Sequence, residues 1–146
     1  EIISGFQQAE MVRENAKLTR EIAEMNAQAA ELDAYNAERD GLTEEARYQS
    51  VIDQTLGAQR VAFAANDVDV NFGTAAELQQ ESKLIGQLNQ MDIRDKAHAE
   101  ALGYKNQARN IRLQSYMGQL QANVQASAIQ GAAVLGAAKT GLSGYK

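Results

Sequence analysis

The sequence has no cysteine, no proline, no tryptophan and one histidine among 146 residues. Without cysteine there is no disulfide framework, no thiolate zinc site and no thiol nucleophile, and redox compartment is not legible. A lone histidine, His98, excludes a multi-histidine metal site and leaves little room for histidine-centred acid–base chemistry. The absence of proline permits long uninterrupted helix. Aromatic residues make up only 5%, and much of the 45% hydrophobic content is alanine. A compact core of this size wants larger anchors. These features predict an all-α, elongated, antiparallel hairpin of two long helices, oligomeric because its partners complete the packing. The chain opens on Glu1 rather than methionine and shows no signal peptide, so an upstream segment stays open.

The net charge of −5 conceals a polarity. Residues 1–66 carry 12 acids and 6 bases, and residues 67–100 carry 7 acids and 3 bases. From Ala101 onward there are 5 bases and no acid. Such asymmetry points to a membrane or an oppositely charged partner, or to an acidic helix neutralised by its own basic neighbour. Specific nucleic-acid recognition is not expected, because the bases are sparse and no aromatic platform accompanies them.

Met11, Leu18, Ile22, Met25, Ala29 and Leu32 follow alternating steps of four and three, with Asn15 and Asn36 on the same stripe. That is a heptad seam on a first helix over residues 1–66, and an amide on a seam fixes register. Asp40-Gly41 predicts a break near 40–42. Residues 67–74 (Asp67-Val68-Asp69-Val70-Asn71-Phe72-Gly73-Thr74) combine turn formers with β-branched residues and form the inter-helix loop. Thr74 and Glu77 read as a capping box that starts the second helix at Ala75. That helix, 75–140, meets no obvious stop, and Gly86, Gly103 and Gly118 read as close crossings or bends rather than ends.

Within it, residues 113–138 carry no charge, a length that crosses a bilayer core. Six amides, among them Gln114, Gln121 and Gln125, make an ordinary single-pass anchor improbable, since each is costly to leave unpaired in lipid. Leu113, Met117, Leu120 and Val124 share one face. Small residues form two ridges, Ala128-Ala132-Gly136-Thr140 and Ala133-Ala137-Gly141. Such ridges let helices approach closely, in a bilayer or in a soluble assembly.

Chemistry is sparse. Asp67, Asp69 and Asn71 imitate the opening of a calcium loop. The match fails after that, with Phe72 at the glycine position and Leu78 where a bidentate Glu belongs. His98 sits between alanines in a charged helix and reads as a solvent-facing or inter-helix residue. No nucleophile–base pair, phosphate-cradling loop or metal spacing is visible, so no catalytic, cofactor or metal residue is assigned, and an enzyme is not expected.

A block in the middle of the chain carries a family likeness: Asn26-Ala27-Gln28-Ala29-Ala30-Glu31-Leu32, then Gly57-Ala58-Gln59-Arg60-Val61-Ala62-Phe63-Ala64-Ala65-Asn66 through Asp67-Val68-Asp69-Val70, Gly73-Thr74-Ala75, and Ala101-Leu102-Gly103-Tyr104-Lys105-Asn106-Gln107-Ala108. Over about residues 20–140 the chain resembles the small internal virion proteins, core or ejection proteins, of autographivirus-like short-tailed bacteriophages. The resemblance implies a non-enzymatic virion component, packed inside the capsid near the portal with other core, portal or tail proteins. It also implies ejection through the tail to help form a genome-delivery channel in the host cell envelope, with the host membrane as a partner at infection. The competing expectation is a soluble helical scaffold or adaptor of a portal or tail assembly.

Overall fold

The computed structural model describes the backbone of residues 2–143 and the side chains of residues 3–139. Its described residues form two helices, α1 (Ile2–Ala65) and α2 (Gly73–Ser143), and no strand. The helices run antiparallel and pack against each other, so the expected all-α hairpin is the fold.

The break expected near 40–42 does not occur: α1 runs unbroken for 64 residues. Gly41 is buried and faces the Ala97 methyl. Its missing side chain serves a close helix approach rather than a stop. α2 begins at Gly73, two residues ahead of the expected Ala75, and runs to Ser143 rather than 140; ends of helices shift by this much with small changes in terminal hydrogen bonding.

The chain divides into two units, Leu32–Tyr104 and Glu1–Glu31 with Lys105–Lys146. In the first, Ala34, Gly41 and Ile52 of α1 and Ala75, Gly86 and Ala101 of α2 are buried. The inward positions recur every eleven residues: Gly41, Ile52 and Phe63 on α1, and Ala75, Gly86 and Ala97 on α2. Eleven residues over three turns follow the natural pitch of an α-helix more closely than a heptad does. The two sides alternate in size. A Cβ placed on Gly86 would lie 2.6 Å from Cδ1 of Ile52, so glycine makes the hole that the isoleucine fills.

Among the described residues of the second unit the buried ones are all alanine: Ala9, Ala27 and Ala30 on α1, Ala108 and Ala126 on α2. Ala27, Ala30 and Ala108 pack together, with Ile111 against them. Gly5 closes on Ala133, whose methyl lies 2.6 Å from where a glycine Cβ would stand. A methyl buries little apolar surface, at about 0.8 kcal/mol per buried carbon group. This interface is close but thin.

The connection belongs to the unit Leu32–Tyr104. The Val68 amide donates to the Phe63 carbonyl (3.0 Å) and the Asp67 amide to that of Ala64 (3.2 Å). With Asp67 at φ 55°, this is a Schellman termination with aspartate in the left-handed position usually held by glycine. Asp69 then accepts the Asn71 amide through Oδ1 (2.9 Å), an Asx turn. Gln79 Nε2 donates back to the Val70 carbonyl (2.7 Å), tying the loop to the first turns of α2. Asp67 and Asp69, the residues that imitated a calcium loop, shape the turn.

Candidate interaction surfaces

The large apolar side chains of the expected seam do not lie between the two helices. Met11, Leu18, Ile22 and Met25 are all more than half exposed, while Ala27, two residues beyond Met25, is fully buried. The inward face of α1 in this unit is Ala9, Val12, Ala16, Ala23, Ala27 and Ala30, and Met11, Leu18 and Met25 lie around the far side of the helix, with Ile22 at the rim of the groove between the helices. The correction has a simple cause. Alanine faces allow closer backbone approach than leucine or methionine, so the hairpin closes on them and leaves the bulky stripe outside.

α2 repeats the arrangement. Ala108, Ser115, Ala122 and Ala126 face α1, whereas Leu113, Met117, Leu120 and Val124 form an exposed stripe on the back, with Val124 71% exposed. Both stripes lie in the same unit. Their exposure exceeds the scattered apolar residues of an ordinary surface, because each is a continuous row. Between the helices, on one side, runs an open groove of about 580 Å³ lined by Asn15, Ile22, Asn26, Gln114 and Gln119.

The small-residue ridges part company. Ala133 and Ala137 are half-buried on the α1 side, and Ala133 receives Gly5. Ala128, Ala132 and Gly136 are exposed. Among the described residues no side chain approaches the position a Gly136 Cβ would take. The side chain of Thr140 and the whole of Gly141 beyond its backbone lie outside the described residues. Gly103 and Gly118 likewise meet nothing, so of the three α2 glycines read as crossings only Gly86 is one. Thr74 and Glu77 fall in the first turns of α2 and are exposed. Gln79, which nothing in the sequence singled out, supplies a side-chain tie there.

Polar contacts carry the specificity of the pairing. Arg112 grips two carboxylates two helical turns apart: Nε and Nη2 donate to Glu24 (3.0 and 2.8 Å), and Nη2 also reaches Glu31 (3.2 Å) together with Nη1. Hydrogen bonding from Arg112 is the main cause that holds both carboxyls below the ordinary range, and the two carboxylates raise the guanidinium in turn. Here a base of the acid-free segment neutralises acids of α1. In the other unit Arg94 donates to Glu45 through Nε (3.2 Å) and Nη2. Asn89 donates to the Tyr48 hydroxyl (2.6 Å) and Gln90 to Gln49 (2.7 Å). These pairs fix register along a face that alanines alone leave slippery.

Among the described residues no three acidic or histidine side chains converge on a metal position, and no helix is long and apolar enough to cross a membrane. No protein family, characterised protein or solved structure compared with the chain matches it.

Proposed function

We propose that this chain is a structural, multimer-forming component of a phage virion core, ejected at infection to help build a genome-delivery channel across the host envelope. The observation that carries the reading is the inversion of the packing: alanines inside, continuous rows of Leu, Met, Ile and Val outside on both helices. A hairpin built this way satisfies its register through polar pairs and leaves its hydrophobic driving force for other surfaces. The resemblance of residues 20–140 to internal virion proteins supplies the biological setting, and the acid-free, basic segment after Glu100 suits an anionic envelope surface. In this reading the protein is not an enzyme and takes no cofactor. Its partners are copies of itself, neighbouring core, portal or tail proteins, and the host membrane.

A second reading is favoured by one observation, that neither helix is apolar enough to span a bilayer among the described residues. It is a soluble scaffold or adaptor around a portal or tail tube, whose outer rows meet protein only. Flotation of the full chain with phosphatidylethanolamine–phosphatidylglycerol vesicles separates the two. The ejection reading expects the chain to float with the vesicles and release trapped dye, and Ala132→Leu or Gly136→Leu to weaken this by crowding the exposed ridge. A chain that stays at the bottom of the gradient at every pH and salt tested leaves the scaffold.

A further inference from the structure

We propose that the hairpin opens from the ends remote from its turn: the unit Glu1–Glu31 with Lys105–Lys146 separates into two helical arms while Leu32–Tyr104 stays paired, and Arg112 is the latch between the arms. Opening unsheathes the uncharged stretch of α2, residues 113–138, which α1 covers along one face when the arms are closed. The proposal stands on the packing inside each unit and assumes neither a multimer nor a membrane.

Three observations carry it. The first is the unequal packing of the two units. Methyl groups close the space between the arms, those of Ala9, Ala27, Ala30, Ala108 and Ala126, with Val12, Ile111 and Ile129 half-buried beside them. Leu32–Tyr104 instead encloses Ile52 in the hole left by Gly86, with Leu56, Phe63, Ile93 and Tyr104 half-buried. Stabilisation scales with the apolar area removed from water, so the arms are held by less for each turn of helix. Segments with few buried apolar contacts open at free energies below that of global unfolding.

The second is the place of the turn. The connection, with its Schellman termination and the Gln79 tie to Val70, belongs to Leu32–Tyr104. The chain itself holds those helices side by side, and re-pairing them closes only a short loop. Separating the arms breaks their own contacts alone, whereas opening at the other end has to undo the turn as well.

The third is how the arms are tied. Arg112 reaches Glu24 and Glu31, Arg20 Nη1 donates to Gln119 Oε1 (2.9 Å), and Arg13 Nη2 to Gln130 Oε1 (3.2 Å). These ties stand at or near the surface, where such pairs exchange with water at little cost. Arg112 is the firmest, since one guanidinium holds two carboxylates, and it stands at the inner end of the uncharged stretch. Gln119 and Gln130, two amides of that stretch, take their charged partners from α1. Parted from α1, residues 113–138 carry no charge on any side: the inner face of Ser115, Ala122 and Ala126 joins the outer row of Leu113, Met117 and Val124. The first arm of α1 is thus a sheath, and the state that bares α2 is the open one.

The test is amide hydrogen exchange of the full chain at neutral pH, read peptide by peptide, in the wild type and in Arg112→Gln. Loss of the latch is expected to speed exchange about fivefold throughout residues 9–30 and 108–133, with residues 45–62 and 76–94 unchanged. Acceleration shared by both units means that the hairpin opens only as a whole, and acceleration confined to the turns around Arg112 means that the arms do not open together; either overturns the proposal. A second measurement does not depend on that variant. Because the chain has no cysteine, spin labels at Lys17→Cys with Gln121→Cys report the distance between the arms, and labels at Gln54→Cys with Leu84→Cys that within the paired unit. Each sample is diluted with unlabelled chain and frozen rapidly from rising temperatures. The arm labels are expected to gain a second, longer distance before helical circular dichroism is lost, while the other pair keeps one distance. A single distance in both pairs up to unfolding overturns the proposal.

Discussion

Gly41 lies directly beneath the methyl group of Ala97, so close that any side chain on Gly41 would occupy the space of that methyl. Gly57, on the same helix, faces open space. Glycine costs about 1 kcal/mol relative to alanine in a helix interior, and that cost is offset only where the bare backbone lets another group in. The two positions are therefore expected to respond with opposite sign. Gly57→Ala raises stability by about 0.5–1 kcal/mol. Gly41→Ala gains the same propensity but forces the helices apart, and overpacking of about 1–3 kcal/mol leaves it less stable than the parent. Thermal unfolding of both variants followed by circular dichroism checks the reversal.

Arg112 gives the hairpin a dependence on acid. Glu24 and Glu31 each have a folded-state pKa below the ordinary carboxyl value of 4.5, chiefly because Arg112 donates to them. A depressed carboxyl pKa means that the unfolded chain binds protons more readily than the folded one. Its stabilisation is complete above the unfolded value and is lost as pH falls through the folded one. Denaturant midpoints are expected to be flat near neutrality and to fall below about pH 4.5. Glu24→Gln with Glu31→Gln removes this component, leaving a shallower acid limb. Arg112→Lys does so only partly, because an ammonium cannot hold two carboxylates in a planar fork. Urea titrations at pH 7 and pH 3 compare the slopes.

Sequence periodicity showed the hairpin, the loop and the uncharged segment, because helix propensity, the absence of proline and the turn formers at 66–73 are local signals. Which face turns inward was not local. Met11, Leu18 and Met25 form the most hydrophobic row on α1, and burial of the largest side chains is the usual outcome. Yet Ala27, Ala30 and Ala108 are the residues inside. The eleven-residue recurrence of small residues was present in the sequence, but it is faint beside a heptad of leucine and methionine. Gly41 misled for the same reason, since a glycine that ends a helix and one that admits a neighbouring methyl look alike without the partner. The charge polarity announced a base of the acid-free segment against acids of α1 without singling out Arg112, and Gln79 carried no signal; both roles become specific only once Glu24, Glu31 and Val70 have been brought to them.

The inverted packing has a direct consequence for mutation. Ala27→Leu and Ala108→Leu insert bulk into the closed face and are expected to cost about 1–3 kcal/mol each, by overpacking. Leu18→Ala and Met117→Ala act on exposed side chains, and are expected to shift the stability of the hairpin by no more than about 0.5 kcal/mol. The ordinary ranking, in which leucine-to-alanine changes are the damaging ones, is reversed. Urea unfolding of the four variants, repeated at several protein concentrations, measures it.

The turn makes the last prediction. Asp67 holds φ at 55°, a left-handed conformation that costs an L-residue about 1–2 kcal/mol, less for aspartate and nothing for glycine. The backbone requires that conformation, because the Val68 and Asp67 amides both turn back to the last carbonyls of α1. Asp67→Gly is therefore expected to be neutral or to stabilise by up to about 1 kcal/mol, and Asp67→Val to destabilise, as a β-branched residue tolerates positive φ poorly. Asp69→Ala removes the Asx bond to the Asn71 amide and costs about 0.5–1.5 kcal/mol. In thermal midpoint, Asp67→Gly is expected at or above the parent, with Asp69→Ala and Asp67→Val both below it. If Asp67→Val is as stable as Asp67→Gly, the Schellman termination does not set the turn, and the helices are held in place by their pairing alone.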